Sequence, residues 1–126
     1  MVEIAIVAVL FFTLLLGIIE FGRAWMISNM ITHAARDGAR AAAVAQNRGA
    51  GGTISDTSSI VTHVKDAIGS VTSANLDVAV TQTTVNGSIP VVQVRVSGTV
   101  PFVFNLPGIG TSFAVDRTVT FRDEVS

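Results

Sequence analysis

The sequence predicts an α+β fold: a long N-terminal helix, apolar in its first half and amphipathic in its second, packed on a small antiparallel β-sheet head with one short extra helix. Three observations predict it. Residues 4–19, IAIVAVLFFTLLLGII, carry no charge, and the chain continues as EFGRAWMISNMITHAARDGARAAAVA without a proline. One helix of about forty-five residues, roughly 65 Å long, is therefore expected. After residue 70 the apolar period changes from that of a helix to two. Between two such alternating runs stands Asn86-Gly87, the signature of a type I′ hairpin, whose central residues both need positive φ.

The first half of the long helix is apolar all round, so it belongs in lipid or among other apolar helices. Residues 20–45 mix Trp25, Met26, Met30 and Ile31 with Glu20, Arg23, Asn29, His33, Arg36, Asp37 and Arg40. Ala34, Ala35, Gly38, Ala39, Ala41, Ala42 and Ala43 give this half a small-residue surface for close approach of another helix or a sheet. Gly49 is expected to cap the helix near residue 48, with a flexible link over 49–56 and the head over 57–126. Asp56, Thr57 or Ser58 can cap a second helix whose buried face is Ile60, Val61, Val64, Ala67 and Ile68.

The head follows as strands. Leu76, Val78 and Val80 alternate with polar or small residues, and so do Val92, Val94 and Val96 beyond the Asn-Gly turn. A third run covers 100–104 before the turn at Pro107, and a last one carries Phe113, Val115, Val119 and Phe121, with Arg117 interrupting its apolar side. Three or four antiparallel strands with one buried face need a cover, and the amphipathic half of the long helix is the largest apolar stripe on offer.

Composition excludes several functions. At 126 residues with a net charge of −1 and only eight scattered Lys and Arg, there is no basic patch for nucleic acid. Cysteine is absent, which removes disulfides and thiolate chemistry. His33 and His63 stand apart, with no ligand spacing around either, and read as surface or satisfied histidines, so no metal is expected. No phosphate loop or nucleophile elbow occurs, and no enzyme activity or cofactor is expected. Asn86-Gly87-Ser88 is also a possible glycosylation sequon, although the turn alone explains Asn-Gly. Phe102, Phe104, Leu106 and Ile109 around Pro107 suit either core packing or contact with a neighbouring head.

The N-terminus lacks the basic region and small-residue cleavage site of a secretory signal. Residues 1–22 would reach across a bilayer with Glu3 and Glu20 near the two interfaces. Arg23 is the nearest cation and by itself would hold the C-terminal side in the cytoplasm, an orientation that a basic leader upstream of Met1 would reverse. A glutamate beside a wholly apolar segment costs about 2.5–3.5 kcal/mol on insertion scales, so Glu3 sits in the headgroup layer or meets a cationic partner.

Val2-Glu3, the stretch Gly17-Ile-Ile-Glu20-Phe-Gly-Arg23 and the run Ala34-Ala-Arg36-Asp37-Gly-Ala-Arg40 together resemble the TadE-like pilin family of tight-adherence pili. The resemblance covers about a third of the chain and none of the head. It implies a type IV-like pilin, made as a precursor with a basic leader and cut by a prepilin peptidase. The subunit would wait in the cytoplasmic membrane, then be polymerised by an assembly ATPase and platform into an extracellular helical homopolymer for surface attachment. It also implies a partner for Glu3: the α-amino group of Met1 in a neighbouring subunit. The family's glutamate lies fifth in the mature chain, and here it is third. Glu20 and Arg23, three apart, can pair within the chain or fix register between subunits; Arg36, Asp37 and Arg40 form either such a register or a solvated face. A minor pilin-like assembly protein and a single-span anchored binding domain are the alternatives.

Overall fold

The computed structural model describes residues 2–45, 54–69, 75–87, 89–104, 108 and 110–123. Its elements run in the order α1 (Val2–Ala43), α2 (Ser58–Gly69), β1 (Asn75–Val85), β2 (Ile89–Pro101) and β3 (Ser112–Arg122). The three strands form one antiparallel sheet in the order β1-β2-β3. The α+β class expected from the sequence is the one observed, with both helices on one face of the sheet.

The hairpin forms where Asn-Gly requires it. Val85 pairs with Ile89, and Asn86 and Gly87 take φ of 54° and 74°, the left-handed values of a type I′ turn. From there the register carries Val80 opposite Val94 and Val78 opposite Val96, while Val94 faces Val119 on the other side. The even-numbered valines of β2 therefore share one face, and Val92, Val94, Val96 and Val100 are all buried.

β2 departs from the sequence expectation. The run 100–104 was expected as a strand of its own, but β2 continues through Gly98 to Pro101, giving three strands. Gly98 does not break the ladder: it pairs with Leu76 and Val115, and a Cβ there would collide with the Asn75 carbonyl oxygen. The alternation 92-94-96-98-100 stays intact because its one missing side chain is the one with no room. Phe102 N–H then donates to the Thr111 carbonyl at 2.9 Å and turns the chain into β3.

The core is the second half of α1 laid on this face. Ile27, Ile31, Ala34, Ala35 and Ala39 pack with Val94, Val96, Val100, Val78 and Val115, and with Val64 and Ile68 of α2. α1 covers β2 and β3, and α2 packs between α1 and β1. α2 buries Ile60, Val64 and Ile68, but Ala67, expected on the same face, is exposed. Asp56 Oδ1 accepts from Ser58 N–H at 2.8 Å, and the Thr57 carbonyl accepts the first helical bond from Val61 at 2.9 Å, so Thr57 caps the helix with Asp56 supporting it.

α1 ends at Ala43, five residues before the boundary expected at 48. The Ala45 amide donates to the Ala42 carbonyl at 3.3 Å, a three-residue step that tightens and closes the last turn. Gly49, expected as the cap, lies outside the described residues. The end of the expected link is tied down: the Ile54 amide donates to Gln82 Oε1 at 2.8 Å, and Gln82 Nε2 donates to the buried Asp123 Oδ2 at 3.2 Å. That polar clamp joins α2's approach, β1 and the end of β3.

Two further side chains explain sequence anomalies. Arg117, which interrupts the apolar side of β3, donates from Nη2 to Ser28 Oγ on α1 at 3.1 Å. On the outer face of the sheet Arg95 bridges to Asp116 through Nε at 3.0 Å and Nη2 at 2.5 Å, and these bonds hold the Asp116 carboxyl below its usual range.

Gly38 and Gly22 play different parts. A Cβ on Gly38 would collide with Val64 Cγ2, whereas one on Gly22 meets nothing within 4 Å. Val64 is fully buried and, as a β-branched residue in a helix, has no second rotamer to move into. Gly38→Ala gains about 1 kcal/mol of helix propensity but overpacks at a cost of about 1–3 kcal/mol. We expect it to lower the head's unfolding temperature, and Gly22→Ala to hold or raise it, in thermal melts of the detergent-solubilised chain followed by circular dichroism.

Candidate functional site

No residue of 2–19 in α1 is buried, although Ala8, Leu16 and Gly17 are partly covered and Gly17 borders the junction with the head. The most apolar window of the helix, with a mean hydropathy of 2.8, has no buried residue, and Val2 and Ile4 are each 75 % exposed. α1 is the one helix among the described residues long and apolar enough to cross a membrane. Eighteen residues rise about 27 Å, close to the roughly 30 Å of a bilayer's hydrocarbon core. Glu3 is exposed in the first turn, where an acidic side chain complements the helix dipole. Met1 lies outside the described residues.

The first contact between α1 and the head is Glu20. It is 4 % exposed, and Oε1 collects three donors: Arg23 Nε at 3.0 Å, Arg23 Nη2 at 2.6 Å and the Val103 amide at 3.2 Å. Arg23 Nη2 also donates to the Pro101 carbonyl at 2.6 Å. Sequence left the pair open between a contact within the chain and one between subunits. The structure joins Glu20 and Arg23 within the chain and adds the end of β2, so the pair latches the helix to the turn after that strand.

The other carboxylate oxygen is different. Glu20 Oε2 is buried and has no hydrogen-bond partner among the described residues. Glu20 lines an apolar groove of about 370 Å³ where the helix leaves the head, with Phe21 and Ala24 on one wall and Phe102, Phe104 and Phe113 on the other. Phe102 and Phe113 rest against each other with ring centroids 5.6 Å apart, and Phe104 is half-exposed. Phe102 and Phe104 thus line a groove instead of filling the core. Leu106 and Ile109, grouped with them in the sequence, lie outside the described residues.

A second surface runs along the back of α1. Asn29, His33, Arg36, Asp37 and Arg40 are exposed, continuing upward from Trp25 and Met26, which are also exposed. The structure leaves Arg36, Asp37 and Arg40 on the solvent side of α1, away from Glu20 and Arg23. Asn86 is exposed at the hairpin tip, far in the fold from this junction, and His63 is exposed on α2. Among the described residues no group of three His, Cys, Asp or Glu is placed to hold a metal ion.

Sequence reading missed the two backbone groups that complete the latch. One is a backbone donor, the Val103 amide, and the other a backbone acceptor, the Pro101 carbonyl at the end of β2, and backbone groups leave no mark in residue identity. The Arg117–Ser28 contact had a visible signal, a cation on an apolar strand face, but its partner lay eighty-nine positions away.

Residue 23 holds more energy than its pair partner suggests. Removing the guanidinium leaves a buried carboxylate without its counter-charge, whereas Glu20→Gln keeps the shape and the Val103 bond. We expect Arg23→Met to cost about 2–3 kcal/mol and Glu20→Gln about 1 kcal/mol, read as increased proteolysis of the helix–head junction in detergent.

Comparison with known proteins bears on this same helix. Residues 1–40 match the family model TadE, described as TadE-like protein. The match spans the apolar segment, Glu20, Arg23 and the Arg36, Asp37 and Arg40 run, and stops before the head. No curated protein and no solved structure matches the chain.

Proposed function

We propose that this chain, whose first forty residues are TadE-like, is a pilin: a structural subunit of an extracellular tight-adherence-type pilus that polymerises through α1. The TadE-like match associates the chain with a Tad pilus system. The observation that carries the finer reading is the segment 2–19, which has no buried residue on a head whose core is complete without it. A head that needed this segment for folding would bury some of it. Lipid or other apolar helices can cover such a surface, and in this reading lipid and copies of the same segment correspond to the subunit before and after assembly.

In this reading the helices bundle in the filament core with the sheets outside. Glu3 meets the α-amino group of a neighbouring subunit, which removes the cost of a bare carboxylate in an apolar bundle. Arg36, Asp37 and Arg40, free of the head on the back of α1, are positioned to set register between copies. The chain waits in the cytoplasmic membrane, and a prepilin peptidase and an assembly ATPase with its platform are the partners that process and extract it. It has no catalytic role of its own.

Electron microscopy of material sheared from cells, with mass spectrometry of its main component, tests the proposal. Thin filaments composed mainly of this chain are expected, and Glu3→Ala should leave the chain in the membrane and abolish them. A chain found wholly in the detergent-soluble membrane fraction, with no filament containing it, would instead favour a single-span anchored binding domain.

A further inference from the structure

The apolar surface of α1 does not stop where a bilayer's hydrocarbon would. From Ile4 to Met26 every exposed side chain of the helix is apolar apart from Thr13, because the two charged residues in that stretch, Glu20 and Arg23, are turned against the head and bonded to it. Residues 2–19 already match the hydrocarbon core, so Phe21, Trp25 and Met26 fall in the polar boundary layer beyond it. All three are more than half exposed. The Phe21 and Trp25 rings lie one turn apart with centroids 6.4 Å from each other, as expected where a helical side chain leans back over the preceding turn, so the indole hangs toward the span.

The head adds to the same level. Bonds from Arg23 to the Pro101 carbonyl and from the Val103 amide to Glu20 set the turn after β2 beside this part of the helix. There Val103 is more than half exposed and Phe104 is half-exposed, and the aromatic-walled groove lies between them and the helix, with Glu20 its one charged lining residue. Apolar side chains from two distant parts of the sequence thus share one level, at the boundary where aromatic residues, tryptophan above all, concentrate in membrane-spanning proteins. Packing within the head does not use them.

We propose that Phe21, Trp25 and Met26 of α1, with Val103 and Phe104 of the head, form a collar that beds in the headgroup and upper acyl layer of a phospholipid bilayer, so that the head rests on the membrane surface instead of standing clear of it. The proposal rests on the reading that residues 2–19 span the membrane before assembly. Continuity argues for lipid as the occupant: the collar is the direct extension of that span, with the helix residues covering the open side of α1 and the head residues covering the other. Withdrawal of the subunit from lipid then has to free this collar as well as the span.

Trp25 is the one tryptophan, and the chain has no tyrosine or cysteine, so fluorescence of the full chain in phosphatidylcholine vesicles reads the collar directly. Trp25 emission should be shifted to the blue of free tryptophan and quenched more by lipid brominated near the headgroup end of the acyl chain than by lipid brominated near its terminus. On the head, a nitrobenzoxadiazole label at Val103→Cys should emit to the blue of the same label at Asn86→Cys on the exposed hairpin tip, and spin-labelled lipid should quench the first and leave the second bright. A Leu10→Cys label locates the span. If Trp25 or the label at position 103 is as exposed to water as the tip while the label at position 10 sits among acyl chains, the proposal is overturned and the membrane reading stands; a water-exposed label at position 10 overturns both. Shielding that is lost when the chain is diluted with lipid would assign the collar to a second copy and equally overturn the proposal.

Discussion

A helix that builds its head with one half cannot cover its other half, and everything else in the structure is arranged around that constraint. The amphipathic half of α1 supplies Ile27, Ile31 and the alanine face to the core, so its orientation is fixed by the sheet. The apolar half then projects because α1 is continuous over 42 residues. At about 25 cal/mol per Å² of apolar surface, no rearrangement of so small a head could recover what covering that segment offers. The stability of the head and the destination of the helix are thus separate problems solved on one element.

The latch at Glu20 marks the division between them. Above it, side chains face valines; below it, they face whatever surrounds the molecule. Placing an ion pair at that boundary has a physical consequence: the helix is held against the end of β2 by directional bonds to Pro101 and Val103 where apolar packing is thinning out. Arg117 to Ser28 repeats the arrangement two turns further along α1. Polar contacts therefore pin the lower edge of the head to the helix, and the alanine-rich upper part is held by close packing, with no room for a side chain at Gly38 against Val64.

How much of this was legible in the sequence depended on distance along the chain. The long helix, the second helix and the Asn86-Gly87 hairpin rest on local patterns, and all three are present. The strand to Pro101 was expected as two runs, Val92 to Val96 and 100–104, yet the parity of Val92, Val94, Val96 and Val100 was unbroken and was the better guide. Ala67 looked buried by spacing alone, but α2 turns a narrow face of Ile60, Val64 and Ile68 to the core. For Glu20 and Arg23 the spacing identified the pair but not its setting, since burial and the backbone partners come from a strand end some eighty residues away.

On the pilin reading, apolar burial explains why α1 must be covered but not where it goes. Lipid chains and neighbouring helices offer nearly equal apolar surroundings, so transfer from one to the other gains little from the hydrophobic effect itself. What differs is the treatment of polar groups. In a bilayer Glu3 must hold itself at the headgroup layer, whereas on this reading a neighbouring copy offers it a cationic partner. An apolar stripe permits many registers, and a charged group that needs an opposite partner is what would select among them.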